Sequence, residues 1–215
     1  PEEQIFAQEN IRENGFVIKD ATQPQDYYEA ASKLTAAYLM SENMVADKFR
    51  FVYGVRVEKF EQQLITGNIT QGDLEVRKSN TNVLPSLNFT YMMNKKTNLR
   101  ASAYSTLSRP EFREISPASF FDYNLSATFT GNTQLEQTRI RNFDLRYEYF
   151  MGKGEMVSAS VFYKYFDSPI ELAVDKGSAP SNKVFSYINA RDAVSVGLET
   201  EFRKSLSFLT QNQKS

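Results

Sequence analysis

The stretch from Asn142 to Lys164 constrains this chain more than any other. It runs Asn-Phe-Asp-Leu-Arg-Tyr-Glu-Tyr-Phe, then Met-Gly-Lys-Gly-Glu-Met, then Val-Ser-Ala-Ser-Val-Phe-Tyr-Lys. Successive side chains of a strand point to opposite faces, so parity sorts them. Asn142, Asp144, Arg146 and Glu148 share one face of the first run. Phe143, Leu145, Tyr147 and Tyr149 share the other. In the second run Val157, Ala159, Val161 and Tyr163 oppose Ser158, Ser160 and Lys164. Gly152 and Gly154 supply the backbone freedom for a tight reversal between the two. The pattern predicts a β-hairpin with one uncharged and one charged face, and the question for the whole chain is which solvent each face meets.

Five further segments extend the pattern. Tyr28, Ala30, Ser32, Leu34, Ala36, Tyr38 and Met40 form an uncharged even parity, against Glu29, Lys33 and Thr35. Phe49, Phe51, Tyr53, Val55 and Val57 alternate with Arg50, Gly54, Arg56 and Glu58. Val83, Pro85, Leu87, Phe89, Tyr91 and Met93 alternate with Asn82, Ser86, Asn88 and Thr90. After Asn94-Lys95-Lys96, Leu99, Ala101, Ala103 and Leu107 oppose Asn98, Arg100, Ser102 and Tyr104. Near the end Val194, Val196, Leu198 and Phe202 oppose Ser195, Gly197, Glu199 and Glu201. Residues 1–26 are polar, with a short strand expected at Gly15 to Lys19. Long loops are expected at Gln63 to Asn80, Arg109 to Thr138 and Asp167 to Lys183. Connections therefore alternate short and long, as in outer-membrane barrels with short turns on one side and long loops on the other.

A soluble antiparallel sheet shows the same alternation. Length, charge and aromatics separate the two. Ordinary strands run about 5–6 residues, whereas a tilted strand needs ~9–11 to cross a bilayer. Charges keep to one parity through mid-strand, and the exceptions, Lys59 and Asp192, lie toward the expected outer ends. Tyr38, Phe49, Tyr91, Tyr149 and Phe202 are expected in a girdle at the short-turn ends, with Tyr28, Tyr163 and Tyr165 at the long-loop ends. Pro85 removes one ladder donor and demands a bulge or a gap.

Composition limits chemistry. The 215 residues carry 25 Lys and Arg against 26 Asp and Glu, so no basic excess points to nucleic acid. The chain has no Cys and no His. It therefore offers no disulfide framework, thiol chemistry, His-based triad or His metal site. No catalytic residue, cofactor or metal ligand is expected, and no enzyme activity. The sequons at Asn68, Asn88 and Asn124 are discounted as chance matches.

Ala36-Ala37-Tyr38-Leu39-Met40, Gly54-Val55-Arg56-Val57-Glu58 and Leu84-Pro85-Ser86-Leu87-Asn88 lead a longer series. Asn98-Leu99-Arg100, Ser108-Arg109-Pro110-Glu111-Phe112 and Gly131-Asn132 with Leu135 follow in order. Asn142 to Phe150, Phe162-Tyr163-Lys164 and Gly197-Leu198-Glu199 complete it. In this order and spacing the chain resembles the barrel of TonB-dependent outer-membrane receptors, especially the Bacteroidetes type with a carboxypeptidase-regulatory-like domain. One departure is Thr133, where the family pattern often has Pro.

The resemblance implies an all-β antiparallel up-and-down meander over residues 1–215, part of a 22-stranded barrel. Plug, TonB box and remaining strands lie outside the chain. It implies TonB-dependent uptake of a large nutrient such as a siderophore, glycan or peptide. Implied partners are the TonB complex through the plug, outer-membrane lipid, an unknown nutrient and a surface lipoprotein, with no nucleic acid. A small outer-membrane barrel with a structural or adhesin role and a soluble carbohydrate-binding β-sandwich are the alternatives. Candidate ligand contacts in the second long loop are Arg109, Glu111, Phe112, Arg113, Phe120, Phe121 and Tyr123, although a self-packed loop is the more ordinary reading. Arg56, Glu58, Arg100, Asp144, Arg146, Glu148, Lys164 and Glu199 are expected to line the lumen. The membrane reading requires that coordinates leave the apolar sides uncovered by a second layer of protein.

Overall fold

A computed structural model describes residues 7, 10–12, 17, 27–67, 72–152, 154–175, 177–179 and 183–206. Apart from Val17, the strand expected at Gly15 to Lys19 lies outside them, as does the Asn68 sequon. Seven long strands form the main sheet: β1 (Tyr28–Val45), β2 (Phe49–Thr66), β3 (Leu74–Asn94), β4 (Thr97–Ser108), β7 (Thr138–Gly152), β8 (Glu155–Asp167) and β11 (Asp192–Arg203). They lie side by side in chain order and every pair is antiparallel. This is the expected meander, open at β1 and β11. A second sheet was not anticipated. It is built from β5 (Ser119–Asp122), β6 (Ala127–Thr130), β10 (Lys183–Asn189) and β9 (Ile170–Val174), in the order β5-β6-β10-β9. The second and third long loops thus carry strands of their own, and β6 and β10 pair in parallel. A short helix, α1 (Phe112–Ile115), precedes β5.

Register carries one apolar face across the main sheet. Tyr53 pairs with Leu87, Leu87 with Ala103, Ala103 with Phe143, Phe143 with Tyr163, and Tyr163 with Val196. Paired residues share a face, so these six side chains form one rung. The rung toward the short turns holds Phe51, Phe89, Ala101, Leu145, Val161 and Leu198. No described residue covers this face: Tyr53, Leu87, Phe143, Leu145, Val161, Val196 and Leu198 are all exposed. The apolar span runs Phe49 to Val57, Val83 to Tyr91, and Val157 to Tyr165, about the length that crosses a bilayer at a tilt. It ends sharply: Val57 pairs with Val83, and the next rung is Lys59 with Thr81. Phe49 stacks on Tyr91 at 4.9 Å near the short-turn end.

β1 corrects the parity expected for it. Tyr38 pairs with Arg56, and Tyr28 with Thr66, so the even residues share the polar face. Tyr28 packs against the Leu64, Ile115 and Leu135 cluster rather than joining a girdle. Tyr38 lies mid-strand, since β1 runs on to Val45. The odd-parity charges that misled, Glu29 and Lys33, pair with Ile65 and Glu61 beyond the Lys59 rung. There a charge meets water on either face, so parity carries no information.

The first long loop is corrected too. β2 continues to Thr66 and β3 begins at Leu74. The ladder holds these ends although their outer-facing side chains, such as Glu61, Glu75 and Arg77, are polar.

Pro85 marks a split in the sheet. Met92 N–H donates to Lys48 O at 2.8 Å, on the β2 side. Backbone groups alternate sides along a strand, so odd residues of β3 direct theirs toward β4. Pro85 is odd and has no N–H to give. The β3–β4 register ends one residue earlier, at Ser86 with Tyr104, while β3 runs on paired only to β2.

Gly154 and Gly197 are two of the positions where the sheet disfavours a Cβ. Gly154 turns the β7–β8 hairpin at φ +78°, whereas Gly152 adopts no such conformation. A Cβ at Gly197 would run into the Phe162 ring across the ladder. Val161→Arg, at mid-band on the apolar face, should cost about 2–4 kcal/mol. Ser102→Arg, on the polar face beside Asp144, should change stability by less than about 1 kcal/mol. Denaturant unfolding of the full-length protein in lipid vesicles measures both, and equal costs would contradict a lipid-facing band.

Candidate ligand face and outer loop

All eight residues expected to face a lumen share the polar face. Arg56 and Glu58 stand on β2, Arg100 on β4, Asp144, Arg146 and Glu148 on β7, Lys164 on β8 and Glu199 on β11. They are four cations and four anions, and two networks pair most of them. Toward the short turns, buried Glu148 accepts from Arg100 Nε at 2.8 Å and lies 3.2 Å from Arg146 Nε. Arg146 also reaches Glu201 at 2.8 Å, and Glu201 meets Arg203 at 2.8 Å. Asp144 accepts from the Ser102 hydroxyl at 3.3 Å. Lys164 Nζ sits 5.4 Å over the Phe162 ring. Toward the long loops, Glu58 is bonded by Arg56 Nε at 3.0 Å and by Arg109.

That last contact begins the outer loop. Residues Ser108 to Phe112 fold back onto the polar face of β2. Arg109 pairs with Glu58 and lies 4.6 Å over the Phe60 ring. Gln62 Nε2 donates to the Pro110 carbonyl at 3.1 Å. Glu111 caps α1: its side chain accepts from the helix backbone, and its own N–H donates to Glu114 at 2.9 Å. Phe112 packs against Leu64, Ile115 and Leu135, which are fully buried. The Arg113 guanidinium covers the Phe120 ring at 3.6 Å. Phe120, Phe129 and Phe185 then stack in sequence at 5.3 and 5.2 Å. Five of the seven candidate loop residues are therefore engaged in holding the loop. Phe121 and Tyr123 differ. They meet edge-to-face at 5.1 Å and remain 45% and 86% exposed.

Gly131 and Asn132 tie the loop together. A Cβ on Gly131 would press on the carbonyls of Arg113, Glu114 and Ser116. Asn132 N–H donates to Glu114 O at 2.6 Å, its Nδ2 to Tyr187 O at 2.9 Å, and its Oδ1 accepts from Gln134 N–H at 2.9 Å. The turn that Thr133 occupies is thus fixed by Asn132 side-chain bonds without a proline. Sequence reasoning missed Phe185, Tyr187 and Asn189. Asn189 exchanges two hydrogen bonds with the Glu136 backbone, at 2.8 and 3.0 Å, across 53 residues. Nothing local signals such a pairing. Asn82 and Gln137 likewise exchange amide bonds at 3.1 and 2.6 Å. Outside the apolar band, Lys78 Nζ donates to Leu135 O at 2.6 Å, and burial holds its pKa below the usual lysine value while Glu136 works the other way. Among the described residues no acidic cluster is placed to hold a metal ion.

The family profile described as TonB dependent receptor-like, beta-barrel, matches residues 6–212. This chain belongs to the TonB-dependent receptor β-barrel family. Solved receptors share the fold. The hemophore receptor HasR of Serratia marcescens superposes with a TM-score of 0.67 at 15% identity, over 81% of this chain and 32% of its own. The siderophore receptor PirA of Pseudomonas aeruginosa gives 0.59 at 15%, over 83% and 40%. The alcaligin outer membrane receptor FauA of Bordetella pertussis gives 0.56 at 18%, over 83% and 28%. The present chain thus spans 28–40% of these receptors' length. No curated protein matches the sequence. As part of a TonB-dependent outer-membrane barrel, the sheet turns its bare apolar face to lipid.

Gly131→Ala should displace α1 and free Phe121 and Tyr123 from their present arrangement. Arg109→Met removes one of the two partners of buried Glu58, at a cost of about 1–3 kcal/mol. Hydrogen exchange on the full-length receptor should show faster exchange at residues 109–137 in both variants, with Phe143 to Tyr149 unchanged. Unaltered loop protection would show that the Arg109 and Gly131 contacts do not hold the loop.

Proposed function

We propose that this TonB-dependent receptor takes up a large nutrient through the barrel of which this sheet is one wall. Its plug and TonB box belong to other parts of the protein. One observation carries the reading: an unbroken apolar band on one face with paired charges on the other, over strands long enough to cross a membrane. That is the geometry of a wall between lipid and a wet passage. The eight polar-face residues line that passage, and arginines there neutralise the two buried carboxylates, Glu58 and Glu148. A siderophore or haem complex is the favoured nutrient class, since the similar receptors are described with such ligands. Glycans and peptides remain the other classes to test. Phe121 and Tyr123 are the ligand contacts of the outer loop, because their rings are exposed and no other candidate in that loop is free of structural duty.

Two measurements test this. Uptake of a panel of labelled ferric siderophores, haem, oligosaccharides and peptides by cells carrying the full-length receptor should show one class taken up. Removing TonB or collapsing the proton gradient should abolish that uptake while surface binding persists. Uptake that survives loss of TonB would overturn the proposal. Replacing Phe121 and Tyr123 by Ala together should weaken binding of the nutrient about tenfold or more, with the melting temperature unchanged. Unchanged affinity would remove the loop from the recognition surface.

A further inference from the structure

The split at Pro85 leaves a cleft in the polar face. Its volume is about 630 Å³, and it lies where β3 parts from β4, beneath the start of the outer loop. Arg56, Glu58 and Arg109 line it, with polar groups from Asn88, Tyr104 and Thr106. The charges in this lining do not balance. Two guanidiniums share one carboxylate, leaving one positive charge over. Asp144 sits on the rung next to Tyr104 toward the short turns and is not part of the lining.

The donors are also in excess. Glu58 is buried and has one oxygen engaged by each arginine. Arg56 uses Nε for Glu58, and no other polar partner of Arg56 is present among the described residues. Its side chain is 42% exposed, so the terminal nitrogens are open to the cleft. Arg109 Nε is buried with no hydrogen-bond partner among the described residues. A buried guanidinium N–H without an acceptor is costly, so Arg109 gains from further negative charge placed near it in the cleft. A planar guanidinium fork fits a carboxylate or phosphate through two parallel bonds.

We propose that this cleft is a subsite for an anionic group, a carboxylate or a phosphate, carried by the nutrient. The inference rests on the receptor reading above and deepens it. Arg56 supplies the open fork, Arg109 the second positive charge, and Glu58 holds both in place while lowering the charge to a level the ligand can match. The ring of hydroxyl and amide groups accommodates the remaining anion oxygens. Pro85 creates the room by ending the β3–β4 ladder at that level.

Equilibrium dialysis of the full-length receptor in detergent, with radiolabelled phosphate and with succinate at constant ionic strength, tests it. The wild-type receptor should bind at least one of the two anions. Arg56→Gln should weaken that binding fivefold or more, and Arg56→Lys should weaken it less. Glu58→Gln should strengthen it, because it removes the competing carboxylate. Opposite signs at adjacent rungs are not expected of residues that merely hold the fold. Melting curves confirm that each variant is folded. Absence of binding by the wild type, or the same sign for Arg56→Gln and Glu58→Gln in folded receptor, would overturn the subsite. Binding seen only after another part of the receptor is deleted would also overturn it, since a resident acidic side chain would then be the natural occupant. Nutrient uptake measured in parallel separates the two failures: TonB-dependent uptake with no anion binding sinks this proposal alone.

Discussion

Hydrocarbon offers no hydrogen bonds, so each backbone amide in the membrane must find its partner within the protein. That demand explains the seven-stranded ladder before any side chain is considered. Each inner strand is paired on both sides through the apolar band except where β3 and β4 part beyond Ser86 and Tyr104, and that gap opens at a residue with no N–H to satisfy. The two outermost strands, β1 and β11, need neighbours from elsewhere in the receptor for the same reason. Strand length follows from the same demand. A ladder must persist from one wet boundary to the other, and beyond each boundary it continues only where packing rewards it.

Beyond the outer boundary the organising force changes. Water satisfies exposed amides there, and ordinary burial decides the shape. Leu64, Ile115 and Leu135 form a small core between the extended ends of β2 and β3 and the outer loop. Phe120, Phe129 and Phe185 make a second, stacked layer. The Arg109–Glu58 pair joins this assembly to the wall. It is a partly buried ion pair in a cleft, so its value lies in fixing where the loop starts rather than in raw stability. The outer loop is therefore a packed unit anchored at one edge, with Phe121 and Tyr123 at its free surface.

The polar face shows how charge is managed beside lipid. Glu58 and Glu148 are the buried members of the two networks, and arginines reach them from two residues away on the same strand, from β4 and from the outer loop. Two cations around one anion recur at Glu58 and at Glu148. At Glu148 the network runs on through Arg146 to Glu201 and Arg203, three cations to two anions, whereas at Glu58 it ends with Arg56 and Arg109 among the described residues. What distinguishes the Glu58 network is its place, since it lines the cleft beside Pro85.

Six strands, their antiparallel order and the uncovered apolar face were legible in the residues from Phe49 to Phe202, because lipid enforces a strict period of two. The charged parity was legible too, and register gathers Arg56, Arg100, Arg146 and Lys164 onto one face as the alternation implied. The sequence misled at β1, where small uncharged residues occupy both parities and only pairing with β2 selects a face. It was silent on the second sheet, since β5, β6, β9 and β10 are short and lie outside lipid, where no period is imposed. Their assembly depends on contacts spanning some fifty residues, such as Asn132 with Tyr187 and Glu136 with Asn189. Local chemistry thus determined what each strand presents to its solvent. Only tertiary structure decided which loop residues hold the fold and which stay free, because that choice depends on partners distant in the chain.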